Sequence, residues 1–469
     1  MSDSTGTVTA ERSTAGPGAR GMGLITMTAL VTGTIIGSGI FTLPAALAGY
    51  GPISIIGFAI TAFGSMMLAL VFAMLSQRIP LAGGPYAYAR EGFGDFIGFQ
   101  TAWNYWIGAW AGVGAISVSM VGYLGRLIPP VGESRLLQMI VAVAAIAVLV
   151  AVNGRGVQTG GALGVVLTVL KVVPLLVVGT LGFLAFDSAN LGEFNASDLG
   201  PLAAIGGAVT LTLFAFIGVE SASIPAGEVY QPRKTIPRAT VIGTLLAAVL
   251  YLTSTMAVFG AMPNSELRTS SAPFADAAEN MFGSWAGPTF SLVAVISCLG
   301  AMNGLLLLSG QVPLAAAADR LAPGLFGRLN RYSAPLAGLV VSGALAAVIT
   351  VMNFSGGELV EVYTKLLLIS TLTTLFPYVF TAGAQMKWLI VDRHKVPVAH
   401  FVRNLVITLI ALAYGIFAIA GAGVDEVYWG FMIVLIGVPL FVLVLKSRGR
   451  PDGGSATDPD PAGVTGSDA

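Results

Sequence analysis

The chain has 469 residues, of which 55% are hydrophobic and 10% charged, with a formal net charge of zero and a mean hydropathy of +0.84. About a quarter of a soluble domain's residues are charged, so this composition excludes a soluble globular protein, and the balanced charge argues against a nucleic-acid partner. The single cysteine, Cys298, rules out an internal disulfide or a cysteine-rich metal site, and the absence of a GxxxxGKS loop removes support for ATP-driven pumping. No cofactor is expected.

Residues 1–20 are polar and predicted to be disordered, with no cleavable leader; the first apolar run is too long for one and serves as its own insertion signal. Roughly 20 apolar residues cross a hydrocarbon core of about 30 Å. On that measure the spans are 23–50, 53–78, 95–127, 134–152, 159–184, 202–227, 235–262, 283–318, 334–353, 361–385, 401–422 and 426–446. They predict an all-α membrane protein with twelve crossings in one domain, about 21–447, followed by a disordered tail over 448–469. The first span is apolar except for Thr34-Ile35-Ile36-Gly37-Ser38-Gly39, and the sixth carries Phe216-Ile217-Gly218-Val219-Glu220 at its middle. Each break opens a set of five spans, about 23–184 and 202–385. An odd number of crossings per set inverts the second against the first, leaving the helices over 401–446 outside the repeat. Eighteen of the 23 basic residues fall on the side of the termini, three on the other side and two within spans. The positive-inside rule therefore places both termini in the cytoplasm of a plasma (inner) membrane.

A membrane helix finds no water for its backbone, so unwinding at mid-depth is tolerated only beside protein or a polar cavity. Two such breaks in corresponding positions point to a transporter's binding site. Gly37, Ser38 and Gly39 allow the helix to unwind, and the half-helix beginning near Ile40 offers its N–H groups and positive dipole end to an anion such as a carboxylate. Small residues also let helices pack closely; it is the pairing with the second break that favours the ligand reading. Glu220 is the one acid well inside a span, placed either to cap the half-helix after Gly218 or to couple and sense protons. Lys171 lies about 18 Å from either end of its span, at 1.5 Å per residue, too deep for its stem to reach water. Lys365 is close enough to an end to do so. Trp103, Tyr105, Trp106 and Trp110 cluster in the third span, with Phe214 and Phe216 before the second break, and some of these are expected to wall a cavity. His394 and His400 are read as solvated loop residues rather than a ligand pair.

Six stretches carry a resemblance to a known family: GTIIGSGIFTLPA (33–45), GGPYAYAREGFG (83–94), FAFIGVESAS (214–223), QPRKTIPRAT (231–240), MPNSELRTSSAPFADAA (262–278) and AAAADRLAP (315–323). Together they resemble the amino acid–polyamine–organocation superfamily, and within it the basic amino acid/polyamine antiporters, of which the arginine/agmatine exchangers match best. The resemblance implies the inverted five-helix repeat plus two helices, often as a homodimer. It places a substrate α-carboxylate on Ser38 and Gly39 and the α-amino group against the carbonyls of Ile35, Phe214 and Ile217. Tyr105, Glu220, Ser370 and Tyr378 match positions of gating, coupling or contact. The arginine-selective members hold the guanidinium with an asparagine and a tryptophan; the corresponding residues here are Val113 and Leu305. Thr34 stands for an asparagine in the first break and Phe214 for a tryptophan gate. Lost cation–π contact and unpaired guanidinium donors argue against arginine and for a neutral or less polar side chain. Lysines in the helix of Lys171 resemble a replacement for a sodium ion between the first, fifth and eighth spans, which implies sodium independence and the possibility of proton coupling.

The expected function is thus sodium-independent amino acid transport by alternating access, most simply exchange of an amino acid for an amine. Proton-coupled symport is one alternative, and a non-transporting amino acid sensor is another. An enzyme is not expected, since no intramembrane histidine, aspartate pair or serine–base dyad is evident. The expected partners are a small amino acid or polyamine, protons in the symport case, the bilayer and a second copy of the chain.

Overall fold

The computed structural model describes residues 22–37, 39–79, 83–156, 161–223, 229–354, 358–395 and 397–448. Ser38 and nearly all of the two expected tails lie outside these. Because lipid leaves backbone groups without partners, long apolar stretches must close their hydrogen bonds internally, and the described residues form helices and no strand. In chain order these are α1 (Leu24–Ile35), α2 (Gly39–Ala48), α3 (Ile53–Arg78), α4 (Pro85–Phe93), α5 (Asp95–Leu127), α6 (Pro129–Glu133), α7 (Arg135–Gly154) and α8 (Gly161–Leu181). They continue with α9 (Pro201–Leu213), α10 (Pro232–Ala261), α11 (Asn264–Leu267), α12 (Pro273–Phe282), α13 (Ala286–Ala318), α14 (Leu336–Phe354), α15 (Leu359–Val391), α16 (Val398–Ala420) and α17 (Val424–Arg448). Proline in the first turn of α4, α6, α9, α10 and α12 costs no hydrogen bond there and presets the helical φ.

Eleven helical stretches among the described residues are long and apolar enough to cross a membrane, α1 with α2 counting as one. The crossing expected over 334–353 is α14, whose apolar part, Leu336–Met352, is shorter than the others. Long helices α5 and α13 pack on each other, and α5 also packs on α15. Around them α3 packs on α10 and α7 on α14, while α1 packs on α10 much as α9 packs on α3. Exchanging two five-span halves would reproduce most of these pairings but not that of α5 with α15, whose counterpart, α8 on α13, is much slighter. Outside the two halves, α16 packs on α15 and α3, and α17 touches α5 and α15. The outer faces of α7, α16 and α17 expose Leu136, Val148, Ile416, Trp429, Phe431 and Leu443, an apolar surface suited to lipid.

Polar ties close the two ends of the bundle. At one end Arg78 of α3 pairs with Asp392 after α15 and lies 4.3 Å over the Trp388 ring, while Lys395 reaches the other Asp392 oxygen at 2.9 Å. Bonds from Lys395 and Arg78 hold the Asp392 carboxyl below the ordinary value of 3.8. Beside it, Arg90 of α4 bonds Asp95 at 2.9 Å and Asp319 at 2.8 Å, and the Tyr86 hydroxyl donates to Asp319 at 2.7 Å, docking α4 on the end of α13. At the opposite end Arg126 of α5 pairs with both Asp276 and Glu279 of α12.

Candidate functional site

Two unwound segments meet inside the bundle. α1 stops at Ile35: Ile36 turns out of helical geometry (φ −72°, ψ 75°), and the Gly37 N–H folds back on the Ile35 carbonyl at 2.7 Å. α2 restarts at Gly39, so the N–H groups of its first turn have no acceptor within the helix. In the sixth span α9 tightens into a 3₁₀ turn at Phe214–Phe216, Ile217 becomes extended (φ −61°, ψ 129°), and Gly218 adopts φ +112°. Only glycine takes that conformation without strain. A Cβ on Gly218 would also lie 2.7 Å from Thr34 Cγ2, so the breaks touch there because the side chain is missing. Gly39 approaches the second break in the same way, its would-be Cβ 3.1 Å from Ala215 Cα.

Three buried tyrosines, not singled out by sequence, donate to carbonyls in and beside the breaks. The Tyr251 hydroxyl of α10 donates to the Ile35 carbonyl at 2.6 Å and lies 3.2 Å from that of Ala215, bridging both breaks. Tyr363 of α15 donates to Gly39 at 3.2 Å, and Tyr123 of α5 donates to Phe41 at 2.6 Å. The available signal was a tyrosine within an apolar span, whose hydroxyl needs a partner once buried.

Between the breaks lies a cavity of about 60 Å³, lined by Gly33, Thr34, Ile35, Gly37 and Gly39 of the first break and Phe214 and Ile217 of the second. Ile116 of α5 and Gly300, Ala301, Gly304 and Leu305 of α13 complete the wall. Among the described residues no charged side chain lines it. Its volume is well below the roughly 300–1,000 Å³ of ordinary small-molecule sites, so an amino acid enters only if the walls part. Of the expected contact residues, Ile35, Gly37, Gly39, Phe214, Ile217 and Leu305 are in this wall. Val113 is fully buried on α5 but the cavity is faced on that helix by Ile116. Ser370 donates to the Gly108 carbonyl at 2.7 Å and sits 3.0 Å from where a Gly112 Cβ would be, behind Leu305 and Phe214. The Phe214 carbonyl already accepts the Ile217 N–H at 3.2 Å, and that of Ile35 is taken by Gly37 and Tyr251.

Glu220 is fully buried. One of its oxygens accepts the Tyr105 hydroxyl at 2.5 Å; the other accepts the Tyr378 hydroxyl at 2.6 Å and the Gly218 N–H at 3.1 Å. It therefore braces the break itself, through the Gly218 N–H, and ties that span to α5 and α15 at once. Lys171 is also buried, its ammonium 2.9 Å from the Gly33 carbonyl and beside Gly300 of α13. One turn earlier Thr168 donates to Ala29 at 3.0 Å, so α8 is latched to α1 twice. Lys365, by contrast, is exposed and pairs with Glu361 at 3.2 Å. The tryptophans do not wall the central cavity: Trp103 donates to the Ile433 carbonyl at 3.0 Å and Trp106 to Ser342 at 2.7 Å, and both line a separate cavity at the bundle's edge. Among the described residues no cluster of three or more His, Cys, Asp or Glu could hold a metal.

The sequence profile of amino acid permeases matches residues 22–445, nearly the whole of the helical bundle. This chain belongs to the amino acid permease family. The permease is 33% identical over 435 residues to a cadaverine/lysine antiporter of Escherichia coli K12, covering 92% of this chain and 96% of that one. It is 33% identical over 440 residues to an arginine/ornithine antiporter of Pseudomonas aeruginosa PAO1, covering 91% of each. It is also 29% identical over 434 residues to the putrescine transporter PotE of Escherichia coli K12, covering 90% of this chain and 96% of that one. The permease is thus a multi-span membrane transporter and not an enzyme.

Proposed function

We propose that this permease exchanges an amino acid for an amine or a second amino acid by alternating access around the two breaks, without sodium, in the plasma membrane with both termini cytoplasmic. The reading is carried by the cavity formed from main chain of both unwound segments, where Gly37 and Gly39 line a helix N-terminus suited to a carboxylate. In this reading Ser38 and Gly39 take the substrate carboxylate, and carbonyls of the breaks take the amino group once Tyr251 and the 3₁₀ turn release them. Phe214 and Leu305 bound the side chain, with Val113 and Ser370 behind them. Tyr105, Glu220 and Tyr378 form a gate, since parting any one of their helices breaks a bond to a single buried carboxylate. Lys171 supplies, between α1, α8 and α13, the positive charge that a bound sodium ion would otherwise contribute.

The relatives' names point to cationic substrates, whereas the wall here offers neither carboxylate nor amide side chain. We therefore assign a neutral or weakly polar amino acid as the preferred cargo in at least one direction. Proteoliposomes test this. Uptake of labelled neutral and cationic amino acids and diamines is measured with and without internal substrate, in sodium-free buffer. Exchange requires that uptake be stimulated by internal amino acid or amine. Uptake indifferent to the interior but abolished by collapsing a proton gradient would replace exchange by symport.

A further inference from the structure

Where the last two turns of α7 lie against the start of α14, a groove of about 620 Å³ opens on the outside of the bundle, away from both breaks. Small residues make its floor. Ala147, Ala151 and Gly154 line it from α7, at the spacing that puts three side chains on one helix face. Further along, the two helices close on each other, for Gly343 of α14 leaves no room for a Cβ against Val150. Leu336 and Val340 of α14 form the opposite wall and are 41% and 48% exposed, so the groove stays open towards lipid.

The mouth of the groove is basic. Arg155, directly after α7, and Arg331, in the segment before α14, both line it and both are exposed, whereas no acid lines it. Among the described residues neither arginine has a carboxylate partner; the Arg331 guanidinium lies 4.7 Å over the Tyr332 ring, which also faces the groove. The backbone carrying them is pinned. Asn330 donates to the Gly154 carbonyl at 2.6 Å and accepts the Tyr332 and Ala334 N–H groups at 2.9 and 3.0 Å. Gly156, at φ +69°, lets the Tyr332 carbonyl come within 2.5 Å of where a Cβ would stand. Arg155 and Arg331 are thus held at one opening by the fold. The N-terminus of α14 starts five residues after Arg331 and adds the positive end of a helix dipole. A basic mouth between two spanning helices, above an apolar slot, complements a negative headgroup with its acyl chain below.

We propose that this groove binds one anionic phospholipid, its phosphate between Arg155 and Arg331 and the upper part of one acyl chain between α7 and α14, against Ala147, Ala151 and Val340. A second copy of the chain is a poorer occupant: a twofold partner docked on this face would set four arginines against one another with no acid among the lining residues.

None of the six tryptophans lines the groove, so Val340→Trp supplies a reporter at its open wall. The full chain carrying it is placed in nanodiscs with phosphatidylglycerol or phosphatidylcholine brominated on the acyl chain, at equal mole fraction. The reporter's contribution is the difference in fluorescence from wild type. Brominated phosphatidylglycerol is expected to quench it with a preference of at least roughly five-fold, the worth of one basic residue at an anionic surface. Adding Arg155→Gln and Arg331→Gln should bring the two lipids close to equal, while Arg155→Lys with Arg331→Lys should keep most of the preference. With both arginines intact the preference should fall as salt rises, which keeps the test independent of how the neutralised variant folds. Equal quenching by both lipids would mean ordinary bilayer contact and overturn the proposal. So would a preference that neither salt nor neutralisation alters. Quenching by neither lipid would overturn it too, and would give the groove to protein.

Discussion

Gly218→Ala is the sharpest perturbation of the meeting point between the two breaks. A side chain at φ +112° carries strain of about 1–3 kcal/mol. Its Cβ would also lie 2.7 Å from Thr34 Cγ2, and overpacking of that kind costs about 1–3 kcal/mol more. The expected loss is therefore roughly 2–6 kcal/mol, a large part of the 5–15 kcal/mol that holds a typical domain together. The two contributions separate in a double-mutant cycle. Thr34→Ser removes the clashing methyl yet keeps the hydroxyl bond to the Leu30 carbonyl, 2.7 Å, and alone should cost about 0.8 kcal/mol or less. Combined with Gly218→Ala it should restore part of the steric loss, giving a coupling of about 0.5–3 kcal/mol. Recovery is partial because the Thr34 Cβ and carbonyl carbon stay 3.2 Å from the new atom. The midpoint of thermal unfolding in detergent is the readout, together with its rise on adding substrate. If Gly218→Ala unfolds within 0.5 kcal/mol of wild type, or Thr34→Ser fails to rescue it while being neutral alone, the two breaks are not in contact and the site is misplaced.

Three other outcomes follow from named contacts. Tyr105→Phe and Tyr378→Phe each remove one donor to Glu220, worth about 1.5–3 kcal/mol for a bond to a charged group; exchange should slow in both, and the double variant should fall short of the sum because one carboxylate receives both bonds, whereas strict additivity would deny a shared gate. Lys171→Ala frees the Gly33 carbonyl from its ammonium and should abolish or bias transport while the protein still elutes as a folded species; unchanged rates across pH would reduce Lys171 to packing. Asp392→Asn should lower the unfolding midpoint at neutral pH but not in strong acid: a carboxyl held below 3.8 when folded stabilises fully above its unfolded value, and that stabilisation fades from there and is gone once pH has fallen through the folded value, so the gap between wild type and variant should shrink steadily as pH drops past 3.8, and a gap that stays constant through that range would contradict the ion pairs with Lys395 and Arg78.

What could be read from the residues alone was whatever a single helix decides for itself. The spans follow from apolar length, and the breaks at Gly37–Gly39 and Gly218 were legible as a pair, since either glycine cluster alone reads as well as a helix-packing site. Lys171 stood out since no stem of its length reaches water from mid-span, and it is indeed held by main chain, at Gly33. What stayed hidden depends on partners far apart in sequence. Nothing within a single span marks Tyr251, Tyr123 or Tyr363, and only folding sets their hydroxyls on carbonyls 216, 82 and 324 residues away. Some of the aromatic cluster was expected to wall a cavity; Phe214 lines the central one, while Trp103 and Trp106 line an edge groove that exists only once α17 lies against α5. The α14 crossing was legible as apolar, though not as the shortest of the set.

The same partition bears on selectivity. A cation carried through a bundle of low dielectric needs a counter-charge along its path, because an unpaired charge in such surroundings costs several kcal/mol. Among the described residues Glu220 is the acid in the second break, and its two oxygens accept from Tyr105, Tyr378 and Gly218. A cationic cargo must therefore either draw Glu220 away from its tyrosines, opening the gate as it binds, or be excluded. A neutral cargo needs neither, since main chain can satisfy its carboxylate and amino group and Phe214, Leu305 and Ile116 its side chain. On the proposed gate, selectivity and gating would both act through Glu220, and an apolar cavity wall would then be compatible with antiporter relatives.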